Sequence, residues 1–391
     1  MTERTTEERL VTGYAGRLLV GASVGWLAIQ AGRLVLSPML PQVTADLQIS
    51  DAQAGVAFSL LWGLYALLQY PSGRLSDALS RKTLLTTGLA LVAVGFTALA
   101  AAPSYAFFLL GAAVVGLGAG LYPTAARALV SDLYSEKQGR AFGLHTASGD
   151  LGGVAAAGLG ATVLAVATWR AAFVPVVAVA LVVLASLHTW SREEYVFERR
   201  ALDVRQTLGR LFGTPRFRGL LVAYALYAFT WQATAAFLPT FLNTGKGFGQ
   251  GVGSAAFAAL FAVGAVVKPT AGTLSDYVPR RTLTVSSLLL GAASLAAVVL
   301  AQQPLFAVIA VVAFAAGLMS FPPVMQSYLM DSFPADSAGG DLGAMRTVYI
   351  GLGALGPTYV GTVATLADYR LAFWGLVAAL LVCAGLVAAT T

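Results

Sequence analysis

The 391 residues are 58% hydrophobic and only 11% charged, with a mean hydropathy of +0.76. A soluble domain carries about 25% charged residues, so this composition excludes soluble enzymes, nucleic-acid-binding proteins and disulfide-rich secreted scaffolds. The single cysteine, Cys383, cannot form an internal disulfide, and two histidines are too few for a histidine-based metal site. The chain is predicted to be a membrane protein that crosses the bilayer many times.

Apolar blocks of about 20 residues, the length of a bilayer-spanning helix, follow one another through the chain. Charged residues or glycine and proline separate the blocks, which fall at 14–40, 52–72, 83–101, 104–128, 140–166, 170–190, 218–242, 252–274, 282–300, 304–329, 340–366 and 370–390. The one long polar stretch, residues 191–219, lies between the sixth and seventh blocks. The pattern predicts an all-α membrane protein with twelve transmembrane helices.

The distribution of lysine and arginine predicts how the chain is oriented, because cytoplasmic loops carry the excess of these residues. With the N-terminus inside, the outer side holds Arg170, Lys246 and Arg370, and Arg33 lies within a span. The other 20 of the 24 basic residues are on the inner side. Both termini and the 191–219 loop are therefore predicted to be cytoplasmic. The net charge of +6 then reflects topology and not a nucleic-acid partner.

An internal repeat connects the two sets of six blocks. A shift of 199 residues carries residues 73–77 (GRLSD) onto 272–276 (GTLSD). The same shift pairs Gly118, Tyr122, Pro123 and Asp132 with Gly317, Phe321, Pro322 and Asp331. The repeat predicts two pseudo-symmetric six-helix bundles, residues 1–190 and 218–391, joined by a cytoplasmic linker at 191–217. Parallel halves are typical of transporters whose substrate site lies near mid-membrane between them.

The segment GRLSDALSRK at residues 73–82 and its echo GTLSDYVPRR at 272–281 resemble the signature loop of the major facilitator superfamily. The resemblance covers nearly the whole chain. It departs from the family pattern at Ser80, where a glycine is usual, and at Pro279 in the second copy. The resemblance implies a secondary transporter of the plasma membrane that works by alternating access, as a monomer, without enzymatic activity or a cofactor.

Two glycines and two aspartates of these loops have predicted structural roles. Gly73 and Gly272 are expected to allow close helix approach, as small residues do in membrane interfaces. Asp77 and Asp276 can accept hydrogen bonds from the N–H groups that begin a neighbouring helix. The resemblance implies that Asp77 does so at residues 338–341, as a latch on the cytoplasmic side. The basic residues of the loops either belong to this gate or anchor the chain at the inner surface: Arg81, Lys82, Arg280 and Arg281.

Polar and aromatic residues form a stripe along the first span and an equivalent stripe along the seventh. The spacing of three and four residues that places side chains on one helix face is found at Ser23, Trp26, Gln30, Arg33 and Ser37, and at Tyr224, Tyr227, Trp231 and Thr234. In the superfamily that this chain resembles, these two helices line the central cavity. The residues expected to shape a substrate site are Trp26, Gln30, Tyr227 and Trp231. The alternative is an aromatic belt at the membrane interface.

Two arginines are candidates for binding an anion. Arg33 lies within the first span, and its fork of donors matches a carboxylate or a phosphate. Its sequence surroundings are similar to those of the arginine of organic-anion symporters in the superfamily. The alternatives are an anchor that reaches the outer interface and a structural ion pair. Arg346, in the inner half of the eleventh span, either adds positive potential to the cavity or reaches the cytoplasmic interface.

Asp150 lies near the middle of the fifth span, where an ionisable residue is costly and indicates a functional site. Its repeat counterpart is the apolar Ile350, so Asp150 departs from the symmetry of the two halves. We expect Asp150 to carry the coupling proton; the alternative is a permanent ion pair, with Arg33 as the candidate partner. Lys268, near the end of the eighth span, is expected to be an interfacial anchor, and Arg127 to belong to an inner charge network.

These features predict a secondary transporter that moves a small organic anion, with the proton as the coupling ion in symport. Two alternatives stay open. The first is a proton-driven antiporter that exports amphipathic or drug-like compounds, in which Arg33 is structural. The second, from another class, is a non-transporting membrane receptor or scaffold, which would more naturally carry a cytoplasmic domain longer than the 191–219 stretch.

Overall fold

The residues that the computed structural model describes are 9–76, 79–196, 209, 212–213, 215–332 and 338–390, and within these ranges the chain forms helices and no strand. Up to residue 190 the helices are α1 (Gly13–Leu34), α2 (Leu36–Leu47), α3 (Asp51–Leu67), α4 (Gln69–Ser76), α5 (Arg81–Ala100), α6 (Tyr105–Leu133), α7 (Gln138–Val166) and α8 (Phe173–Trp190). From residue 215 they are α9 (Pro215–Thr240), α10 (Gln250–Leu274), α11 (Arg280–Leu300), α12 (Pro304–Ser332), α13 (Ala338–Gly353), α14 (Leu355–Leu366) and α15 (Tyr369–Thr390). A 3-10 turn, Trp169–Ala172, precedes α8, and a π-helical turn, Phe241–Gly245, follows α9.

Three of the predicted spans are each broken into two helices, and proline explains the breaks. The helices α1, α3 and α13 end four residues before a proline, at Leu34, Leu67 and Gly353 before Pro38, Pro71 and Pro357. A proline has no N–H to donate, and its ring clashes with the carbonyl group four residues earlier. At these three places the first helix stops and a second helix continues the span, whereas α6 runs through Pro123 without a break. The bend between α1 and α2 is 41°.

Ten helical segments of the described residues are long and apolar enough to cross a bilayer, or up to eleven if the bent pair α1 and α2 counts as one span. The predicted span at 340–366 is divided between α13 and α14 and is not among them. The all-helical membrane class is confirmed, whereas the count of twelve and the cytoplasmic location of the termini stay predictions.

The end of the bundle that holds the start of α1 and the end of α15 is called the terminal end, and the opposite end is called the far end.

The helices before residue 190, here the first set, and those from residue 215, the second set, pack in equivalent pairs. Helix α5 packs on α6 and α8, and its repeat equivalent α11 packs on α12 and α15. A Cβ atom added to Gly118 would lie 2.7 Å from the Gly88 carbonyl oxygen, and one added to Gly317 would lie 2.7 Å from the Ser287 carbonyl oxygen. These contacts are 199 residues apart, so the same close backbone approach joins both helix pairs. The domain boundaries stay predictions, since residues 197–208 lie outside the described ranges.

The prediction that Gly73 and Gly272 allow close helix approach is wrong. A Cβ atom added to Gly73 would meet Thr124 at 3.6 Å, and one added to Gly272 would meet Pro323 at 3.9 Å, both ordinary van der Waals distances. The reason is that these two glycines face side chains that stand at ordinary distances, whereas Gly118 and Gly317 face backbone atoms of the neighbouring helix.

The two sets meet closely at the far end, between α3 and α14. A Cβ atom added to Gly55 would lie only 2.5 Å from the Pro357 carbonyl oxygen, so a larger residue does not fit without movement. One helix turn further along α3, the Ser59 and Thr358 hydroxyl oxygens are 2.7 Å apart. These contacts close the far end between the two sets.

A disulfide at this contact tests the closure. In a Cys383→Ala background, the pair Ser59→Cys and Thr358→Cys is expected to cross-link under mild oxidation, because the two hydroxyl oxygens already lie 2.7 Å apart. The measurement is the loss of both reactive thiols within one chain, with each single-cysteine variant as the control. The cross-link should stop transport until a reductant is added. Two thiols that stay reduced and reactive would contradict the closed far end.

Candidate substrate cavity

A cavity of about 700 Å³ lies between the two sets. Its wall is formed by α1, α3, α6 and α7 from the first set and by α9, α10, α12 and α13 from the second. Small-molecule sites have volumes of about 300–1,000 Å³. The cavity therefore has room for one small solute.

The structure brings most of the predicted site residues to this wall. They are Gln30, Arg33, Asp150, Tyr227, Trp231 and Arg346. Trp26 is not among the lining residues; its ring stacks on His145 with 6.4 Å between centroids. Helix α7 packs against this part of α1 so closely that a Cβ atom added to Gly149 would lie 2.4 Å from the indole Nε1. Trp26 thus packs between α1 and α7 instead of shaping the cavity.

Arg33 is buried, with 3% of its surface exposed. Its guanidinium carbon lies 4.0 Å from the centroid of the Trp62 ring and 4.3 Å from that of Tyr65, an arrangement that stabilises a cation by cation–π attraction. One terminal nitrogen donates to the Gln30 side-chain oxygen at 3.1 Å. The Nε and the other terminal nitrogen are buried and have no hydrogen-bond partner. Arg33 is therefore neither exposed at an interface nor paired with a carboxylate among the described residues.

Aromatic rings from α9, α12 and α13 form one side of the cavity. Tyr224 stacks on Tyr349 with 4.3 Å between centroids, and Tyr227 stacks on Phe321 with 4.4 Å. Trp231 extends this side further along α9. Three of the four residues of the seventh-span stripe, Tyr224, Tyr227 and Trp231, therefore line the cavity, with flat apolar rings that carry a few polar groups.

Asp150 of α7 and Lys268 of α10 form an ion pair that joins the two sets, with 2.5 Å between Oδ1 and Nζ. The Asp150 side chain is 7% exposed and that of Lys268 27%, and both line the cavity. Two predictions are therefore wrong: the partner of Asp150 is not Arg33, and Lys268 is not an interfacial anchor. A buried carboxylate needs a nearby counter-charge, and α10, which packs directly on α7, supplies it.

Arg127 of α6 and Arg346 of α13 line the side of the cavity toward the terminal end. Both also line a second chamber of about 220 Å³, which continues to Gly73. The Arg127 Nε donates to the Pro123 carbonyl oxygen at 3.1 Å, whereas the Arg346 Nε is buried without a partner. Arg127 is therefore part of the cavity wall, and its place in an inner charge network stays a prediction.

The basic residues of the two signature loops make contacts at the terminal end. Arg81 pairs with Asp132 at 2.9 Å, which joins α5 to α6. Lys82 donates to a backbone carbonyl oxygen at 3.1 Å, Arg281 does so at 2.5 Å, and Arg280 begins α11. These contacts hold helices together near the loops.

No side-chain contact of the two loop aspartates is among the contacts of the described residues. Asp276 is exposed in the turn between α10 and α11. Asp77 lies outside the described residues. The latch between Asp77 and the start of α13 therefore stays a prediction.

Several lining residues were absent from the predicted site, although the sequence carries a signal for them. Trp62, Tyr65 and Gln69 of the second span are spaced three and four residues apart, the same helical stripe that identified Arg33. Lys268 is the repeat equivalent of Gln69. A basic residue within a span where the other half has an amide indicates a functional departure from symmetry.

Two bacterial proteins are examples of relatives that are similar to this chain in sequence. The chain is 26% identical over 274 residues to the probable sulfoacetate transporter SauU of Cupriavidus necator, a match that covers 64% of this chain and 62% of SauU. It is 26% identical over 373 residues to the transcription regulatory protein OpdE of Pseudomonas aeruginosa, which covers 92% of this chain and 90% of OpdE. The match thus spans less than two thirds of SauU and nearly all of OpdE.

A solved structure has the same fold. A bacterial homologue of the human lysosomal transporter Spinster, crystallised in an inward-facing and occupied conformation, has a TM-score of 0.82 and 18% sequence identity, with 97% of each chain covered. At this identity the likeness concerns the fold alone. A family model described as the Major Facilitator Superfamily matches residues 22–357. The protein is therefore a multi-pass protein of the plasma membrane with a transporter fold and not an enzyme, and the chain belongs to the Major Facilitator Superfamily.

Proposed function

We propose that the protein moves a small organic anion through the central cavity and couples this movement to the proton in symport. The observation that carries the proposal is Arg33, a buried cation in the cavity wall with two unpartnered donor nitrogens. A buried donor without a partner costs about 1–3 kcal/mol, and more when it is charged. An oxyanion satisfies both donors and neutralises the charge, so it is the ligand that this wall would bind most tightly.

The charge of the wall favours an anion over a lipophilic cation. Among its described residues, four carry positive charge and one carries negative charge: Arg33, Arg127, Lys268 and Arg346 against Asp150. Uncompensated positive charge inside a membrane is costly. An anionic solute offsets that charge, whereas a cationic drug would add to it. The excess therefore supports the symporter over an antiporter of drug-like cations.

The similarity to SauU supports the same class of substrate. The name of that protein describes a transporter of sulfoacetate, a small organic anion. The match covers 62% of SauU at 26% identity, so it supports an anionic substrate and does not identify the compound. The stacked rings of Tyr224 and Tyr227 would flank a short apolar part of such a solute.

The ion pair between Asp150 and Lys268 supports the proposed coupling to protons. Protonation of Asp150 removes its negative charge, so the pair breaks and the Lys268 ammonium becomes available to the solute. The wall then gains one positive charge. Anion binding and protonation therefore favour each other, because linkage between two binding sites is reciprocal. This is the sign of coupling that an anion–proton symporter requires.

Arg33→Ala is expected to abolish uptake of the anion into proteoliposomes at low concentration while the protein stays folded. A hydrogen bond to a charged group contributes about 1.5–3 kcal/mol, so the affinity should fall roughly 10- to 150-fold. Arg33→Lys is the matched control, because it keeps the charge but loses the fork of donors, and it should retain part of the uptake. Unchanged affinity in Arg33→Ala would contradict the anion assignment.

Asp150→Asn should uncouple transport from the pH gradient. Asparagine keeps the shape of the side chain but cannot gain or lose a proton, so Lys268 is available to the anion at every pH. Exchange of internal for external anion should persist, while an inward proton gradient should no longer drive accumulation. Glu194→Gln, which removes an exposed carboxylate outside the cavity, is the control. Continued accumulation against a gradient by Asp150→Asn would show that another group carries the proton.

A non-transporting function is the second candidate. OpdE, which matches 92% of this chain, is named as a transcription regulatory protein. A transport assay on the wild-type protein in proteoliposomes distinguishes the two candidate functions. If it bound an organic anion in proteoliposomes without moving it across the membrane, the regulatory candidate would be favoured.

A further inference from the structure

The second chamber, of about 220 Å³, continues from the central cavity toward the terminal end. Three residues belong to the walls of both spaces: Arg127, Gln326 and Arg346. The other described residues of the chamber wall are uncharged, and they include Gln69 and Thr124. The junction of the two spaces is therefore lined by two guanidinium groups and neutral polar side chains, with no carboxylate among the residues described there.

The guanidinium groups of Arg127 and Arg346 face the same junction, because both side chains line both spaces. The Arg127 Nε is held by the carbonyl oxygen of Pro123 in its own helix, at 3.1 Å. The Arg346 Nε is buried and has no hydrogen-bond partner. Two like charges brought together away from water are costly unless an opposite charge joins them. A negatively charged ligand between the Arg127 and Arg346 side chains would offset this cost.

Arg33 is not part of this junction. It is held apart by the Trp62 and Tyr65 rings and by Gln30, and it lines the central cavity but not the second chamber. Tyr65 lies beside Arg33, with its ring 4.3 Å from the guanidinium carbon, and it lines the central cavity together with Arg346. The two cationic positions are therefore neighbours with separate donor sets.

We propose that Arg127 and Arg346 form a second anion-binding site, distinct from the position at Arg33. Its ligand is a small oxyanion, such as a carboxylate, a sulfonate or sulfate, because a planar fork on each arginine matches a pair of oxygen atoms. Thr124 and Gln326 offer a hydroxyl and an amide to the same ligand. The claim that the transported solute occupies this site between the cavity and the terminal end rests on the proposed function. The claim that the site binds an oxyanion does not.

Binding of radiolabelled inorganic sulfate to the purified full-length protein, at constant ionic strength, tests the site. The background is Arg33→Ala, which leaves the second site as the only one proposed. Sulfate is expected to bind this variant, and adding Arg127→Gln or Arg346→Gln should weaken binding roughly tenfold or more. Arg192→Gln, which removes an exposed arginine over the Tyr14 ring, is the matched control and should bind sulfate as the background does.

Lysine variants keep the experiment decisive if a glutamine variant does not fold. Arg127→Lys and Arg346→Lys keep the charge but lose the fork, so each should weaken sulfate binding by a smaller factor. Sulfate that does not bind to the Arg33→Ala protein, or that binds equally well to all four variants, would overturn the proposal. The outcome is separate from that of the transport assay, since sulfate can bind at this site whether or not Arg33 supports uptake.

Discussion

The structure depends on how positive charge is held between the two sets of helices. A bilayer offers no water to a buried guanidinium or ammonium group, so each of them needs a partner from the protein or from a ligand. Arg33 has two aromatic rings and one amide, Arg127 has a carbonyl of its own helix, and Lys268 has Asp150. The charge that remains uncompensated in the described wall is what an anionic solute would neutralise.

Proline and glycine determine where the two sets can approach each other. The three broken spans all lie at the seam: α14 packs on α3, α13 on α4, and α9 on α2. Helices on the outside of each set, such as α5 and α11, are continuous. A break allows the two parts of a span to tilt separately, whereas Gly55 allows α3 to contact the backbone of α14 at the far end. This combination suits a protein that closes at one end around a central cavity.

Much of the fold and part of the candidate site could be predicted because those features depend on one helix at a time. The length of each apolar block identifies a span. Polar residues within a span identify the helix face that lines the cavity, as they do for Arg33, Tyr227 and Asp150. Proline alone would not have located the three breaks, because Pro123 and Pro269 lie inside continuous helices. Contacts between helices could not be predicted in this way. The pair of Lys268 with Asp150 and the packing of α7 on Trp26 depend on how each helix is rotated against its neighbours. A stripe on one helix does not determine that rotation.

The central claim is that the cavity between the two sets accepts negative charge. The most direct measurement is counterflow in proteoliposomes, in which a series of small carboxylates and sulfonates is compared with lipophilic cations of similar size. The account predicts that at least one anion of the series exchanges across the membrane and that the cations do not. Exchange of the cations with no exchange of any anion would contradict it.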